Sequence, residues 1–132
     1  MRSDSASVRT ARERRGRRAE RLAAWYLRFK GYRILARRFR TPVGEIDLIV
    51  RRGRRLAFVE VKLRESIEEG LEALTQGQRR RILRAATAFL RLHPQLAGLD
   101  LRFDLLLFAP WRPPRHLEDA WRREDDGGSI PA

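Results

Sequence analysis

Residues 44–62 read GEIDLIVRRGRRLAFVEVK, and the spacing within that stretch decides the fold. Two apolar runs, one on either side of an arginine-rich centre holding a single glycine, Gly53, form the pattern of a β-hairpin. A two-residue type II′ loop wants glycine first, which puts Gly53 and Arg54 in the turn. Counting outward from that turn, Asp47 faces Glu60 and Glu45 faces Lys62. A four-residue loop over Arg52–Arg55 keeps the same register, whereas a three-residue loop shifts it by one. The period of two then sets Glu45 and Asp47 on one face, and Glu60 and Lys62 on one face of the next strand. Ile46, Leu48, Val59 and Val61 are expected to point the other way, into the core.

Two carboxylates directly opposed across a hairpin, with Cβ atoms about 5 Å apart, repel each other unless something positive lies between them. A divalent cation answers that need. Mg²⁺, or Mn²⁺ in its place, accepts one or two carboxylates and completes its shell with waters and substrate phosphates, so Asp47 and Glu60 are the expected ligands and the Val61 carbonyl a further one. Such an ion stabilises charge developing on a phosphodiester and acidifies a bound water. Lys62 would stand beside that water.

Composition sharpens the reading of Lys62. Of 30 basic residues only Lys30 and Lys62 are lysine, and the chain contains no asparagine. That bias fits thermal adaptation and a GC-rich genome alike. A position that tolerates Arg is therefore expected to be Arg, so a surviving Lys asks for a reason. An ammonium is compact and can give up its proton, which a guanidinium effectively never does, and this suits a group that orients or activates a water. A plain ion pair between Lys62 and Glu45 or Glu60 is the competing account.

Outward from the hairpin, Ala19, Ala23, Tyr26 and Leu22, Trp25, Phe29 recur at helical spacing, which predicts a helix from Gly16 to Lys30 with Gly31 closing it. Tyr32–Phe39 reads as a strand preceding the hairpin. After a polar connection, Thr75 opens a second helix with Gln78 completing a capping box, and Pro94 ends it. Leu101–Ala109 is nearly continuous apolar sequence, as in a strand covered on both faces, and 115–120 reads as an edge strand. The order is αβββαβ with one extra strand, an α/β fold whose mixed central sheet is flanked by helices. Residues 1–14 are expected to form a basic disordered arm, 15–123 the domain, and 124–132 a flexible acidic tail. Glu20 shares a helix face with Gly16, Ala23, Ala24 and Leu27, so it is either paired with an arginine or serving a site.

The 132 residues suffice for one domain with a real core. Absence of cysteine excludes disulfide scaffolds, zinc knuckles and thiol nucleophiles. No apolar window approaches membrane-span length, so a soluble cytoplasmic protein without membrane association is expected. The formal charge of +13 lies wholly in the first half: residues 1–66 hold 20 basic and 7 acidic side chains, residues 67–132 hold 10 of each. A basic surface of this kind attracts a polyanion, and nucleic acid, most simply DNA, is the expected partner. Arg17, Arg21, Arg38, Arg40 and Arg64 are the expected phosphate contacts. His93 and His116 stand apart from each other in the sequence and read as ordinary boundary residues.

Several segments together resemble the YraN-like family of uncharacterised bacterial proteins: Gly16-Arg-Arg-Ala-Glu20, Gly31-Tyr-Arg-Ile-Leu35, Gly44-Glu-Ile-Asp-Leu-Ile49, Phe58-Val-Glu-Val-Lys62 with Arg64, and Arg102-Phe-Asp104. The resemblance covers about residues 15–121. That family is similar to the restriction-endonuclease-like PD-(D/E)xK nucleases, including archaeal Holliday junction resolvases, with an αβββαβ core and Mg²⁺ at the central hairpin. The resemblance implies a Mg-dependent endonuclease acting on DNA, on branched or damaged structures among others. Asp47 and Glu60 would be the metal ligands, Lys62 the catalytic lysine, and Glu20 the helix carboxylate near the metal. By analogy with resolvases it leaves a homodimer open. The family commonly shows Asn where Arg38 stands and Lys near Gln78, and this chain has neither. Arg102 and Asp104 are expected to form an ion pair that fixes the fourth strand. Two other readings stand beside the nuclease: a nucleic-acid-binding module of the same fold that does not cut, and a protein-interaction domain that docks an acidic partner.

Overall fold

Gly53 takes φ +60° while Arg54 stays in the ordinary half of backbone space, so the hairpin turns as a type II′ loop. The ladder that follows pairs Arg52 with Arg55, Val50 with Ala57 and Leu48 with Val59, which is the register read from the sequence. The structure is a computed structural model that describes residues 2–122, with side chains from Gly16 onward. Its elements are α1 (Arg2–Phe29), β1 (Arg33–Thr41), β2 (Gly44–Arg52), β3 (Arg55–Leu63), α2 (Ile67–Ala73), α3 (Gln76–Leu92), a 3₁₀ turn (Pro94–Leu96), β4 (Asp100–Phe108) and β5 (Arg115–Trp121). The five strands form one mixed sheet in sequential order, antiparallel throughout except for the parallel β3–β4 pair that the α2–α3 crossover joins.

Helices cover both faces of this sheet, and each face has its own apolar cluster. On one side Ala23, Ala24 and Leu27 of α1 pack on Leu48, Val50, Ala57, Val59 and Leu106. On the other, Ile82, Ala86 and Phe89 of α3 pack on Ile49, Leu56, Phe58, Phe103 and Leu105. An aromatic chain crosses that second cluster: Phe58 stacks on Phe103 at 5.4 Å, and Phe103 on Trp121 at 4.3 Å. Burial of each such side chain contributes about 1.5–3 kcal/mol. Because β3 and β4 are buried on both faces, their sequences run almost continuously apolar instead of alternating.

The end of α1 is set by Gly31, at φ +91°. Its N–H bonds the Arg28 carbonyl at 2.9 Å and the Tyr32 N–H bonds the Leu27 carbonyl at 2.9 Å, the paired bonds of a Schellman cap. Tyr32 then packs in the same cluster as Leu27, which fixes how the chain leaves the helix for β1. The beginning of α1 departs from the sequence reading. The helix runs from Arg2, so the segment expected to be a disordered arm is continuous with it. Residues 2–15 contain neither Gly nor Pro and hold five arginines, good helix formers, so nothing in them breaks a helix. The expected acidic tail lies outside the described residues.

Two more departures come from side chains that sequence spacing alone cannot place. The connection before α3 contains α2, capped by Ser66, whose hydroxyl accepts from the Glu69 N–H at 3.1 Å. Gly70 of α2 sits so close to β4 that a Cβ there would lie 2.5 Å from a Leu107 methyl. Second, Ile46 joins the α3-side cluster while Leu48 joins the α1-side cluster, although both were expected on one face. Arg38, next to Phe39 in β1, has φ +53°, and Phe39 pairs with Ile46. The left-handed residue rolls both strands together, so Ala36 and Phe39 face α3, as do their partners Ile49 and Ile46.

Candidate metal-binding and active site

The same kink makes the site. The β2–β3 ladder ends at Leu48–Val59, and one residue further along, Asp47 Oδ2 accepts the Val61 N–H at 2.8 Å. The Asp47 side chain thereby takes a backbone donor of β3 and is fixed beside Glu60. Glu60 is 8% exposed, and its carboxyl lies close enough to that of Asp47 for each to act on the other's titration. Two carboxyls this close favour one of them keeping its proton. Burial, followed by the Asp47 charge, pushes the Glu60 carboxyl up to about 9. Asp47 is raised as well, by burial first, against the Glu60 contact, the Val61 hydrogen bond and the Lys62 charge that favour its ionised form.

Two donors converge on Glu60 Oε1. Lys62 Nζ lies 3.8 Å away, and Gln78 Nε2 on the first turn of α3 donates at 3.3 Å. The capping reading of Gln78 is half right. Its backbone N–H bonds the Thr75 hydroxyl at 3.2 Å, as an N-cap should, but its side chain turns to Glu60 instead of back to Thr75. A cavity of about 350 Å³ opens beside these groups, lined by the Thr41–Glu45 turn, Glu60, Gln78, Arg81 and Ile82. Gly44 permits this closeness of turn and helix, since a Cβ there would lie 2.0 Å from the Arg81 carbonyl oxygen.

The other expected residues sort into near and far. Glu20 of α1 is raised by burial and then by the Asp47 charge, so it senses the pair, but its ion-pair partner is Arg38 at 3.2 Å. Glu45 was expected opposite Lys62; it stands opposite Arg40 of β1 and pairs with it at 3.4 Å, because β2 has already left β3 at that point. Arg38 and Arg40 therefore flank the carboxyls while engaged with carboxylates themselves. Arg64 is exposed just beyond β3, its Nη1 on the Leu63 carbonyl at 2.8 Å. Arg17 and Arg21 lie exposed on α1. Among the described residues no group of three or more His, Cys, Asp or Glu is placed to hold a metal ion. The carboxyls that meet are two, which with waters and phosphate oxygens matches what Mg²⁺ takes.

A second polar cluster gathers on β4 and β5, and the sequence motifs mark only its Arg102 and Asp104. Asp104, fully buried, accepts from Arg102 at 3.0 Å, as expected for that ion pair, and also from His116 Nε2 at 2.8 Å and the Asp119 N–H at 2.9 Å. Lys30 Nζ lies 2.7 Å from His116 Nδ1, and Arg102 donates to the Tyr32 hydroxyl at 2.7 Å. His116 is thus no boundary residue: it ties the end of α1 to β4 and β5. The rarity of lysine is its signal in the sequence, at Lys30 as at Lys62.

Fold and site together define a mixed α/β protein whose central hairpin brings two carboxyls, Asp47 and Glu60, together beside a lysine. The chain belongs to the uncharacterised protein family UPF0102, whose model matches residues 19–108. It is 59% identical over 109 residues to a UPF0102 protein of Parvibaculum lavamentivorans, covering 83% of this chain and 82% of that one. A UPF0102 protein of Paramagnetospirillum magneticum is 53% identical over 116 residues, covering 85% and 90%. One of Caulobacter vibrioides is 54% identical over 112 residues, again covering 85% and 90%. The expected kinship with the YraN-like family is thereby established, and that family is uncharacterised. No described helix is long and apolar enough to cross a membrane.

Proposed function

We propose that this protein is a Mg²⁺- or Mn²⁺-dependent nuclease that hydrolyses phosphodiester bonds of DNA. The observation that carries the reading is the meeting of the partly buried Asp47 and the buried Glu60 carboxyls, with Lys62 Nζ 3.8 Å from Glu60 and Glu60 lining a cavity. Setting two acids side by side with one of them buried costs stability, and a site that does so is organised to take a cation in the proton's place. Asp47 and Glu60, with the Val61 carbonyl, would hold the ion. When bound, it would supply charge neutralisation at the scissile phosphate and a more acidic water.

This chain's own groups do the rest. The Val61 N–H fixes the Asp47 carboxylate, and the Gln78 amide fixes the rotamer of Glu60. Lys62, mostly buried on the face it shares with Glu60, keeps a compact positive charge where an attacking water would be oriented. Exposed arginines of the first half bind phosphates without reading sequence.

Incubation with supercoiled, flapped, four-way and single-stranded DNA and with RNA, in Mg²⁺ or Mn²⁺, tests the proposal. Cleavage by the wild type and none by Asp47→Ala is the expected result. If nothing on the panel is cut although DNA is bound with a steep salt dependence, the protein is a non-cleaving nucleic-acid-binding module. One observation favours that second reading: Glu20, the carboxylate that would complete a three-acid site, is held by Arg38. Affinity that barely responds to salt would point to an acidic protein partner instead.

A further inference from the structure

Helix α1 has two apolar faces, and the sheet uses only one. Ala19, Ala23, Ala24 and Leu27 are buried against the strands. Leu22, Trp25 and Phe29 recur at spacings of three and four on another stripe and are 51%, 68% and 91% exposed. Two bare aromatic rings about 6 Å apart along the axis of one helix are costly to leave in water unless something covers them. The surroundings say what kind of partner that is. Arg17, Arg18, Arg21 and Arg28 are all exposed on the same helix. The Arg28 guanidinium lies 5.8 Å from the centre of the Trp25 ring. The sole carboxylate among the described side chains of α1, Glu20, is turned to Arg38.

We infer that the outer face of α1 is a stacking platform for an unpaired nucleic-acid strand. Trp25 and Phe29 would take successive bases, and the arginines the phosphates between them. Base–aromatic stacking tolerates any sequence, and arginines tracking a backbone give the rest of the affinity. The alternatives fit the charge less well. A second copy of this chain docked there would set each of these arginines against its equals. A lipid surface needs an unbroken apolar stripe, whereas Arg18, seven residues before Trp25, interrupts this one. The inference rests on the nucleic-acid half of the proposed function and holds whether or not the strand is cut. It gives that site its substrate class: DNA or RNA with a single-stranded segment.

The test is fluorescence anisotropy of the full-length protein with a labelled oligothymidylate and with a labelled duplex, both in EDTA so that no cleavage intervenes. Trp25→Ala and Phe29→Ala should each weaken single-strand binding about tenfold, with duplex affinity little changed. Trp25→Phe, which keeps a ring, should retain most of it. In a Trp111→Phe background, which removes the other exposed indole, the oligothymidylate should quench the Trp25 emission. The inference is overturned if the double alanine variant binds single strands like the wild type. It is equally overturned if ring removal alters self-association or binding to anionic vesicles while leaving single-strand binding intact. In either case duplex binding and metal-dependent cleavage would still stand as support for the proposed function. If the wild type binds no nucleic acid at low salt, the proposed function falls along with the platform.

Discussion

Glu60→Gln separates the carboxyl pair's chemistry from its packing. In the wild type the contact between Glu60 and Asp47 depends on a proton that Glu60 keeps up to about pH 9, against 4.5 for the free side chain. Between those values the folded chain binds a proton that the unfolded chain has released. Stability therefore falls as pH rises, because the unfolded state binds fewer protons. Each pH unit in that window removes about 1.4 kcal/mol, so moving from about pH 6 to about pH 8 should cost the wild type about 3 kcal/mol through this group alone. The stabilisation is complete below the unfolded value and is lost as pH climbs through the folded one. Glutamine offers Asp47 an N–H at every pH, so the variant should lack this slope and overtake the wild type in alkali.

The assay is urea unfolding of both proteins at matched pH values, without and with millimolar Mg²⁺. Groups remote from the pair are common to the two chains and cancel in the difference, whereas Asp47, whose titration is linked to that of Glu60, changes with it. A cation that displaces the Glu60 proton should stabilise the wild type more at the higher pH, where that proton is less firmly held, and should do little for the variant. Parallel pH profiles for the two proteins would refute the retained proton. Parallel Mg²⁺ responses would refute the assignment of Glu60 as a ligand even if the proton is real.

Other variants probe the remaining links. Asp47→Ala should abolish cleavage while DNA affinity, followed by anisotropy, holds or improves, since a negative charge facing the phosphates is gone. Lys62→Arg should preserve binding but lower the single-turnover rate by about 10²-fold or more, the usual share of a positioned proton-handling group; full retention would reduce Lys62 to an ion-pair partner. Phe58→Ala, at one end of the stacked aromatic chain, should cost about 3–5 kcal/mol in urea unfolding and leave the site residues untouched. Arg38→Asn removes the 3.2 Å hold on Glu20 and suits the left-handed backbone better, so Mg²⁺ affinity by calorimetry should rise if Glu20 is a third ligand waiting to be released.

What the sequence could tell and what it could not divides along one line. Hairpin register followed from Gly53, because a two-residue turn leaves only one way to count outward, and every pairing from Arg52 to Leu48 agrees. The α1 cap, the Thr75 cap and the buried β4 strand followed equally from local chemistry that acts within a few residues. Counting fails where the backbone stops being regular. Arg38 carries no mark that it will take φ +53°, yet it stands at the point where Phe39 and its partner Ile46 turn to the α3 face. Asn, which the YraN-like resemblance led one to expect at this position, is the side chain that most readily tolerates such a backbone, so the departure itself held the clue. The long-range polar contacts were beyond any spacing rule, since Lys30 and His116 stand 86 positions apart. Composition reached them where periodicity did not. In a chain that writes nearly every basic residue as Arg, the two lysines left both lie beside a buried acid or the histidine bound to one, Lys62 at Glu60 and Lys30 at His116. A branched, five-donor guanidinium is too bulky for the places where a compact ammonium meets a single acceptor in a half-buried setting. By that argument Lys30 is as informative as Lys62: one marks the site, the other the joint that holds α1 to the sheet above it.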